Sequence, residues 1–367
     1  MKRRAFVGAL GVGAAATLAG CQKEAKECVA TSDQPTVSKK VIEWNMVTTW
    51  PKNFQGLGES AERLAQNIAR LSGGRMKVNV LGAGELVPAL QVFDTVAAGT
   101  VQMGHGASYY WKGKMPVSPI FSAVPFGLNA QEMNGWLYHG GGLNLWQELY
   151  APLGLLPMPA GNSGVQMAGW FNKEINSLDD IQGLKMRIPG LGGEVFKRAG
   201  GTPELIPGAE LFSALERGRI DATEWVGPYN DLAFGLHKAA KYYYYPGWHE
   251  PGTTLEAIIN INALQQLPTD LQEIVKAACT QANYDTLSFF TSKNNEALSE
   301  LLDVHKVQLK KLPQDVLDKF ESISEQVVQE LAETSDFARK VYESFSRYKQ
   351  QVYSWHKVSE QAFYDLR

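Results

Sequence analysis

Cysteine is scarce. Cys21, Cys28 and Cys279 are the three in 367 residues, too few for a disulfide framework or a structural zinc site. Basic runs are missing once the first residues are passed. Lys2, Arg3 and Arg4 are the only charges among residues 1–20, and without them 32 basic residues stand against 38 acidic ones, a net charge of −6. A mildly acidic chain of that kind argues against nucleic acid as a partner. No apolar run after residue 20 reaches the roughly 18 residues of a membrane span, so the body of the chain is expected to be soluble. Enzyme signatures are wanting too. Gly161-Asn162-Ser163-Gly164-Val165 has Val where G-x-S-x-G needs glycine, and there is no H-E-x-x-H, P-loop or C-x-x-C. The six histidines are scattered without ligand spacing, and His105, beside Met103 and Gly104, reads as a structural histidine rather than a base.

What is present begins with an address. The charged start leads into an apolar stretch, Ala5 to Ala19, which suits a signal peptide and is short for a stable span. Arg3-Arg4-Ala5-Phe6-Val7 fits the twin-arginine export pattern. Leu18-Ala19-Gly20-Cys21 resembles a bacterial lipobox, so residues 1–20 are expected to be removed and Cys21 acylated, tethering a periplasmic lipoprotein to a membrane leaflet. The plainer reading is a cleaved signal with an incidental cysteine. Residues 21–40 are polar and aperiodic, a tether. Cys28 and Cys279 could pair in an oxidising compartment, but two free thiols are the first expectation.

From Val41 onward strand and helix signals alternate, which argues for α/β layers. Val41 to Thr49 is β-rich. Leu57, Ala61, Leu64, Ile68 and Leu71 have helical spacing, and Met76 to Leu81 alternates as a strand. A helix from Pro88 to Ala98, Gly99 as its cap and a strand at Thr100 to Met103 are echoed by a helix from Glu210 to Arg217, Gly218 and a strand at Arg219 to Ala222. Two such units suggest two lobes of related design. The last third is helical, with Thr269 and Gln272 resembling a capping box. Beyond Ser335 the chain lacks Gly and Pro and is expected to be one long helix. Its seam of Val341, Phe345, Tyr348, Val352 and Trp355 fits a helix lying on its own domain or a contact with a second copy.

Polar residues stand out in aromatic, glycine-rich segments, where strands give way to loops and α/β sheets place ligands. Asn162, Gln166 and Trp170 lie in GNSGVQMAGWF, and Tyr109-Tyr110-Trp111 follow the first glycine–strand unit. Arg187 ends GLKMRI, and an arginine fork suits a carboxylate. Taken alone, Arg187 reads first as a strand-end arginine in a surface salt bridge. Glu224 stands beside Trp225, and Glu250 closes YYYYPGWHE. Both could be solvated loop acids, although their tryptophan neighbours argue against full exposure. Two acids converging in an aromatic cleft would need a cation, and oxygen ligands favour Na⁺ or Ca²⁺ over zinc. The run Tyr242–Tyr245 reads as a packed strand.

These segments, in this order, resemble the solute receptors of tripartite ATP-independent periplasmic (TRAP) transporters, nearest to the α-keto acid-binding subgroup. The matching stretches are AGELVPALQ (83–91), YHGGG (138–142), GNSGVQMAGWF (161–171), KEIN (173–176), GLKMR (183–187), IDATEWVGPY (220–229) and YYYYPGW (242–248). They run through most of residues 41–255, whereas the helical last third matches mainly in pattern. The resemblance implies a two-lobed periplasmic-binding-protein (flytrap) fold of the α/β class, closing on a small monocarboxylate. It divides the chain into lobe I (41–160), lobe II (161–254), a helical region completing both lobes (255–334) and a long C-terminal helix (335–367), exchanged between protomers of a homodimer in some members. Arg187 matches the arginine that pairs with the substrate carboxylate. Gln166, Asn162 and Tyr110 match pocket residues, with Gln166 also near the metal. Glu224, the backbone carbonyl of Trp225, and Glu250 match ligands of a bridging Na⁺ or Ca²⁺. The chain departs from a relative of that subgroup at His249, where tryptophan stands, at Pro251, where glycine stands, and at Tyr110-Trp111-Lys112, which has one aromatic fewer. The expected function is capture of a 2-oxo or 2-hydroxy monocarboxylate, pyruvate- or lactate-like, for delivery to TRAP membrane permease subunits. The alternative is a metal-assisted enzyme acting on 2-oxo acids with Glu224 or Glu250 as base, for which no partner acid is evident.

Overall fold

The structure, a computed structural model, describes residues 40–367. The signal peptide, lipobox Cys21, tether and Cys28 therefore lie outside the described residues. Eleven strands occur among the described residues. They are β1 (Ile42–Thr48), β2 (Met76–Leu81), β3 (Met103–Gly106), β4 (Leu155–Asn162), β5 (Gly169–Phe171) and β6 (Lys185–Arg187). There follow β7 (Thr202–Glu204), β8 (Ala222–Thr223), β9 (Tyr242–Tyr245), β10 (Thr254–Asn260) and β11 (Gln308–Lys311). They form two mixed sheets, ordered β2-β1-β3-β10-β4 and β11-β9-β5-β8-β6-β7. In the first, β1 runs parallel to β2 and β3, while β10 is antiparallel to both its neighbours. Pro157 and Pro159 stand in β4, an edge strand, where two missing N–H donors on one side cost no ladder bond.

The chain passes between the sheets at residues 163–168, at residues 246–253 and through the 35-residue helix Thr269–Asp303. The first two passages run side by side. Ser163 donates its N–H to the Thr253 carbonyl at 3.0 Å, and Gln166 to that of Glu250 at 3.1 Å. Gly247 is required there, because a Cβ would stand 2.1 Å from the Gln166 carbonyl oxygen. The long helix buries Leu271, Val275, Cys279 and Ala282 with the apolar side chains of the first sheet, and Phe290 and Leu301 with Trp170 and Trp225. One rod thus serves two cores. Cys279 is a buried free thiol, and burial pushes it up to about 12.

The helix Leu57–Leu71 forms as its spacing predicts: Leu57, Ala61, Leu64 and Ile68 are buried, while Leu71 is 40% exposed. Two expected strands start later than the sequence suggests, β3 at Met103 and β8 at Ala222. Gly99 and Gly218, at φ 72° and 69°, end their helices left-handed, and the next residues still bond back to helix carbonyls. Thr100 N–H reaches Thr95 at 3.1 Å, and Arg219 N–H reaches Ala214 at 2.9 Å. Only then is the chain free to enter a sheet. The capping box at Thr269 does not form, because Thr269 is already helical and Gln272 instead donates to the Leu267 carbonyl at 2.9 Å.

The C-terminal helix spans Asp336–Val358, capped by Ser335 accepting from Ala338 N–H at 3.0 Å, and breaks at Ser359 before a short turn of helix. Val341 and Phe345 are buried, Phe345 edge-on to Trp136, whereas Trp355 is 62% exposed. Tyr348 and Val352 pack against the same core, so the seam lies on its own chain up to Val352. No helix among the described residues is long and apolar enough to cross a membrane.

Glu256 interrupts the apolar strand β10. It is fully buried and accepts bonds from Trp111 Nε1 at 2.5 Å and Tyr150 Oη at 2.9 Å, which fastens the turn carrying Tyr110 to the sheet. Burial raises its carboxyl to about 8, against the lowering effect of those two donors. Its folded value lies above its ordinary 4.5, so the stability it contributes is present below that pH and lost as pH rises towards 8. We predict that the melting temperature of Glu256→Gln declines less between pH 5 and pH 8 than that of the wild type, by about the slope one proton accounts for. Parallel slopes in a thermal-melt series would refute the assignment.

Candidate functional site

Five segments converge on one buried cluster. Arg187 ends β6, whose last residue pairs with Thr223 of β8, so the residue after Thr223 is delivered beside it. Arg187 is 1% exposed rather than a surface residue, and Glu224 is fully buried. Nη1 of Arg187 bonds Oε1 of Glu224 and lies 3.4 Å from the Glu224 carbonyl oxygen. Nε donates to the Ile206 carbonyl at 3.2 Å, and Nη2 reaches Tyr110 Oη at 3.4 Å. The guanidinium lies 5.1 Å from the Trp225 ring centroid. Burial alone would favour the neutral arginine; Glu224 and the two tyrosines outweigh it and hold Arg187 charged above its ordinary range.

Glu250 and Gln166 come from the two side-by-side passages. Gln166 donates both amide hydrogens, to Ser163 Oγ at 2.9 Å and Thr253 Oγ1 at 3.2 Å, and Thr253 donates on to Glu250 Oε2 at 2.6 Å. That relay leaves Gln166 Oε1 as a buried oxygen with no partner, and Glu224 Oε2 is another. Burial raises the Glu250 carboxyl to about 7, reinforced by the negative charge of Glu224 and opposed by His249, Thr253 and Arg187. Asn162 lies at the end of β4, fully buried, with its amide engaged by the backbone: it donates to the Gly252 carbonyl at 3.1 Å and accepts from Gly164 N–H at 2.8 Å. It fastens one passage to the other. Tyr109, Tyr110, Ile188, Pro189, Gly190 and Leu205 line a cavity of about 260 Å³ that shares Tyr110 with the cluster.

Glu224, His249 and Glu250 are all buried and offer three donor atoms within 4.8 Å of one another. Two carboxylates and one imidazole are a mostly oxygen donor set, the chemistry a hard cation takes, and the unpartnered Gln166 oxygen belongs to the side chain that the Thr253 relay ties to Glu250. The residues fit such an ion. His105 takes no part in the cluster; it accepts from Trp50 Nε1 at 2.9 Å, and burial lowers it to about 4.

Residues 46–335 match the family of bacterial extracellular solute-binding proteins, family 7 (DctP). The chain belongs to that family. Among its family 7 relatives, a monocarboxylate 2-oxoacid-binding periplasmic protein of Nostoc sp. is 46% identical over 322 residues, 88% of each chain. The TRAP periplasmic solute-binding protein of Pseudoalteromonas atlantica, solved with bound sodium and pyruvate, is 42% identical at a TM-score of 0.86, covering 89% of this chain and 99% of its own. That of Colwellia psychrerythraea, solved with bound calcium and pyruvate, is 41% identical at a TM-score of 0.87, covering 89% and 100%. The mixed α/β architecture with two sheets and a long C-terminal helix is the family 7 fold. The family's role is to bind solutes for transport outside the cytoplasm, which decides against the enzyme reading.

Sequence reasoning missed Asp231. It is buried and accepts from Trp170 Nε1 at 3.0 Å, Tyr243 Oη at 2.7 Å and Val226 N–H at 3.3 Å, pinning the segment that bears Glu224 and Trp225. Burial raises it to about 7 despite those donors. No spacing marks it: it is one polar residue in a short, polar helix start. Glu256 left a signal, an acid within an otherwise apolar strand.

Proposed function

We propose that the chain is a TRAP solute receptor for a small 2-oxo or 2-hydroxy monocarboxylate, pyruvate- or lactate-like, held together with Na⁺ or Ca²⁺ and delivered to TRAP permease subunits. The observation that carries this reading is one buried arginine facing two buried acids and two unpartnered oxygens. With the His249 imidazole uncharged, Arg187, Glu224 and Glu250 counted as ions sum to −1, and a bound monocarboxylate would make −2 in a dry volume. A cation offsets that repulsion. In this reading Arg187 and Tyr110 orient the ligand carboxylate, while Glu224, the Trp225 carbonyl, Glu250 and Gln166 hold the ion. Asn162 lines the pocket while tying the two passages. Lobe closure then excludes water and strengthens the Arg187 contact. Supporting the division into lobes I (41–160) and II (161–254), strands β1 to β3 belong to one sheet and β5 to β9 to the other.

Mass spectrometry of ligand released from freshly purified protein tests the reading, with calorimetry on pyruvate, lactate and succinate. A 2-oxo or 2-hydroxy monocarboxylate is the expected release, and preference for the dicarboxylate would refute it. We further propose that Cys21 carries lipid and that the exposed end of the C-terminal seam, at Trp355, meets a second copy. Intact mass of the membrane-extracted chain decides the first, and sedimentation of the purified protein the second.

A further inference from the structure

Among the described residues His249 is a buried side chain without a hydrogen bond, its one charged contact being Glu224. It is 2% exposed, and neither ring nitrogen has a hydrogen-bond partner. Leaving such a group unmet costs folding stability. Its Nε2 lies 3.4 Å from Oε2 of Glu224, itself unpartnered, with Glu250 the next residue along the chain. The contact lacks hydrogen-bond geometry. Two donors about 2.3–2.4 Å from one ion and at about a right angle to each other are about 3.3–3.4 Å apart, so the spacing suits joint coordination of a six- or seven-coordinate ion. The helix Gly190–Arg198 packs against the base of this side chain: a Cβ at Gly192 would stand 2.9 Å from the His249 Cβ.

We propose that His249 is a further ligand of the cation, through Nε2, and that its nitrogen makes the site prefer a divalent ion of the transition series, such as Mn²⁺, to Ca²⁺ or Na⁺. This rests on the cation-bridged reading of the site and replaces its Na⁺ or Ca²⁺ by a divalent transition ion. Imidazole is a softer donor than carboxylate or amide oxygen, and it raises affinity along the divalent transition series while adding little for alkali or alkaline-earth ions. Charge agrees. With a monocarboxylate bound, Na⁺ leaves the cluster at −1, whereas a divalent ion brings it to neutrality.

The test uses the intact purified chain, stripped with chelator and loaded with substoichiometric Mn²⁺ alone. Electron spin-echo spectroscopy reads directly whether a nitrogen coordinates the manganese. Nitrogen modulation in the wild type, lost in His249→Phe, is expected, as is Mn²⁺ affinity about tenfold or more above that for Ca²⁺, a gap the variant closes. Absence of modulation in the wild type, or its persistence in His249→Phe, overturns the assignment whether or not the variant folds well. Adding pyruvate separates the two readings. Failure to bind pyruvate with any cation, with the modulation intact, refutes the proposed ligand and upholds His249 as a metal ligand.

Discussion

Arg187→Lys is expected to weaken ligand binding about tenfold or more while leaving the fold intact, because bonds to charged groups are worth about 1.5–3 kcal/mol. The guanidinium divides its work. Nε and Nη1 serve the protein, through Ile206 and Glu224, and Nη2 reaches Tyr110 only at 3.4 Å. A second N–H on Nη2 is therefore the donor best placed for an incoming carboxylate. Lysine keeps the charge and can still pair with Glu224, but it has no second arm. Arg187→Met goes further and leaves Glu224 buried without its countercharge, which costs about 3–5 kcal/mol. The two variants should split cleanly: calorimetry detects the lysine variant's defect, thermal denaturation the methionine variant's. Unchanged affinity in a well-folded lysine variant would demote Arg187 to an internal strut for Glu224.

Arg187 also shows where the sequence stops being informative. Its place at a strand end was legible, yet its burial was not, since its partner Glu224 lies 37 residues away and only the β6–β8 pairing brings them together. Strands of two or three residues, such as β5, β6 and β8, are too short to show alternation, so the order of the second sheet left no trace in local pattern. The helix Thr269–Asp303 was blurred for a different reason. It faces one core with its first turns and another with its last, so no single apolar stripe runs its length. By contrast, Leu57–Leu71 packs one stripe on one sheet, and its limits could be read directly. Among site residues, acids beside tryptophan were visible; His249 was seen only as a departure from a relative, because its role depends on the turn that aims it at Glu224.

Glu224→Gln and Glu250→Gln should each lower cation-supported ligand affinity by about thirtyfold or more, the scale of about 2–5 kcal/mol for removing one partner of a buried charged contact. The two losses should differ in kind. Glu250 is tied to the protein only through Thr253 among its side-chain bonds, and glutamine retains an acceptor for that hydroxyl. Glu250→Gln therefore removes a cation ligand with its charge but leaves Arg187 paired with Glu224, and the remaining binding should stay cation-dependent. Glu224 also neutralises Arg187. Either variant takes the cluster from −1 to 0, but only the loss of Glu224 also frees the guanidinium, which then meets the anion directly. Binding to Glu224→Gln should accordingly be weak and nearly indifferent to added cation. Titrating pyruvate into chelated, sodium-free wild type provides the baseline, where binding is expected to fall at least as far as in either variant. Full-strength binding under those conditions, with no ion found by elemental analysis, would leave the acids as hydrogen-bonding props and Arg187 as the only charge partner of the ligand.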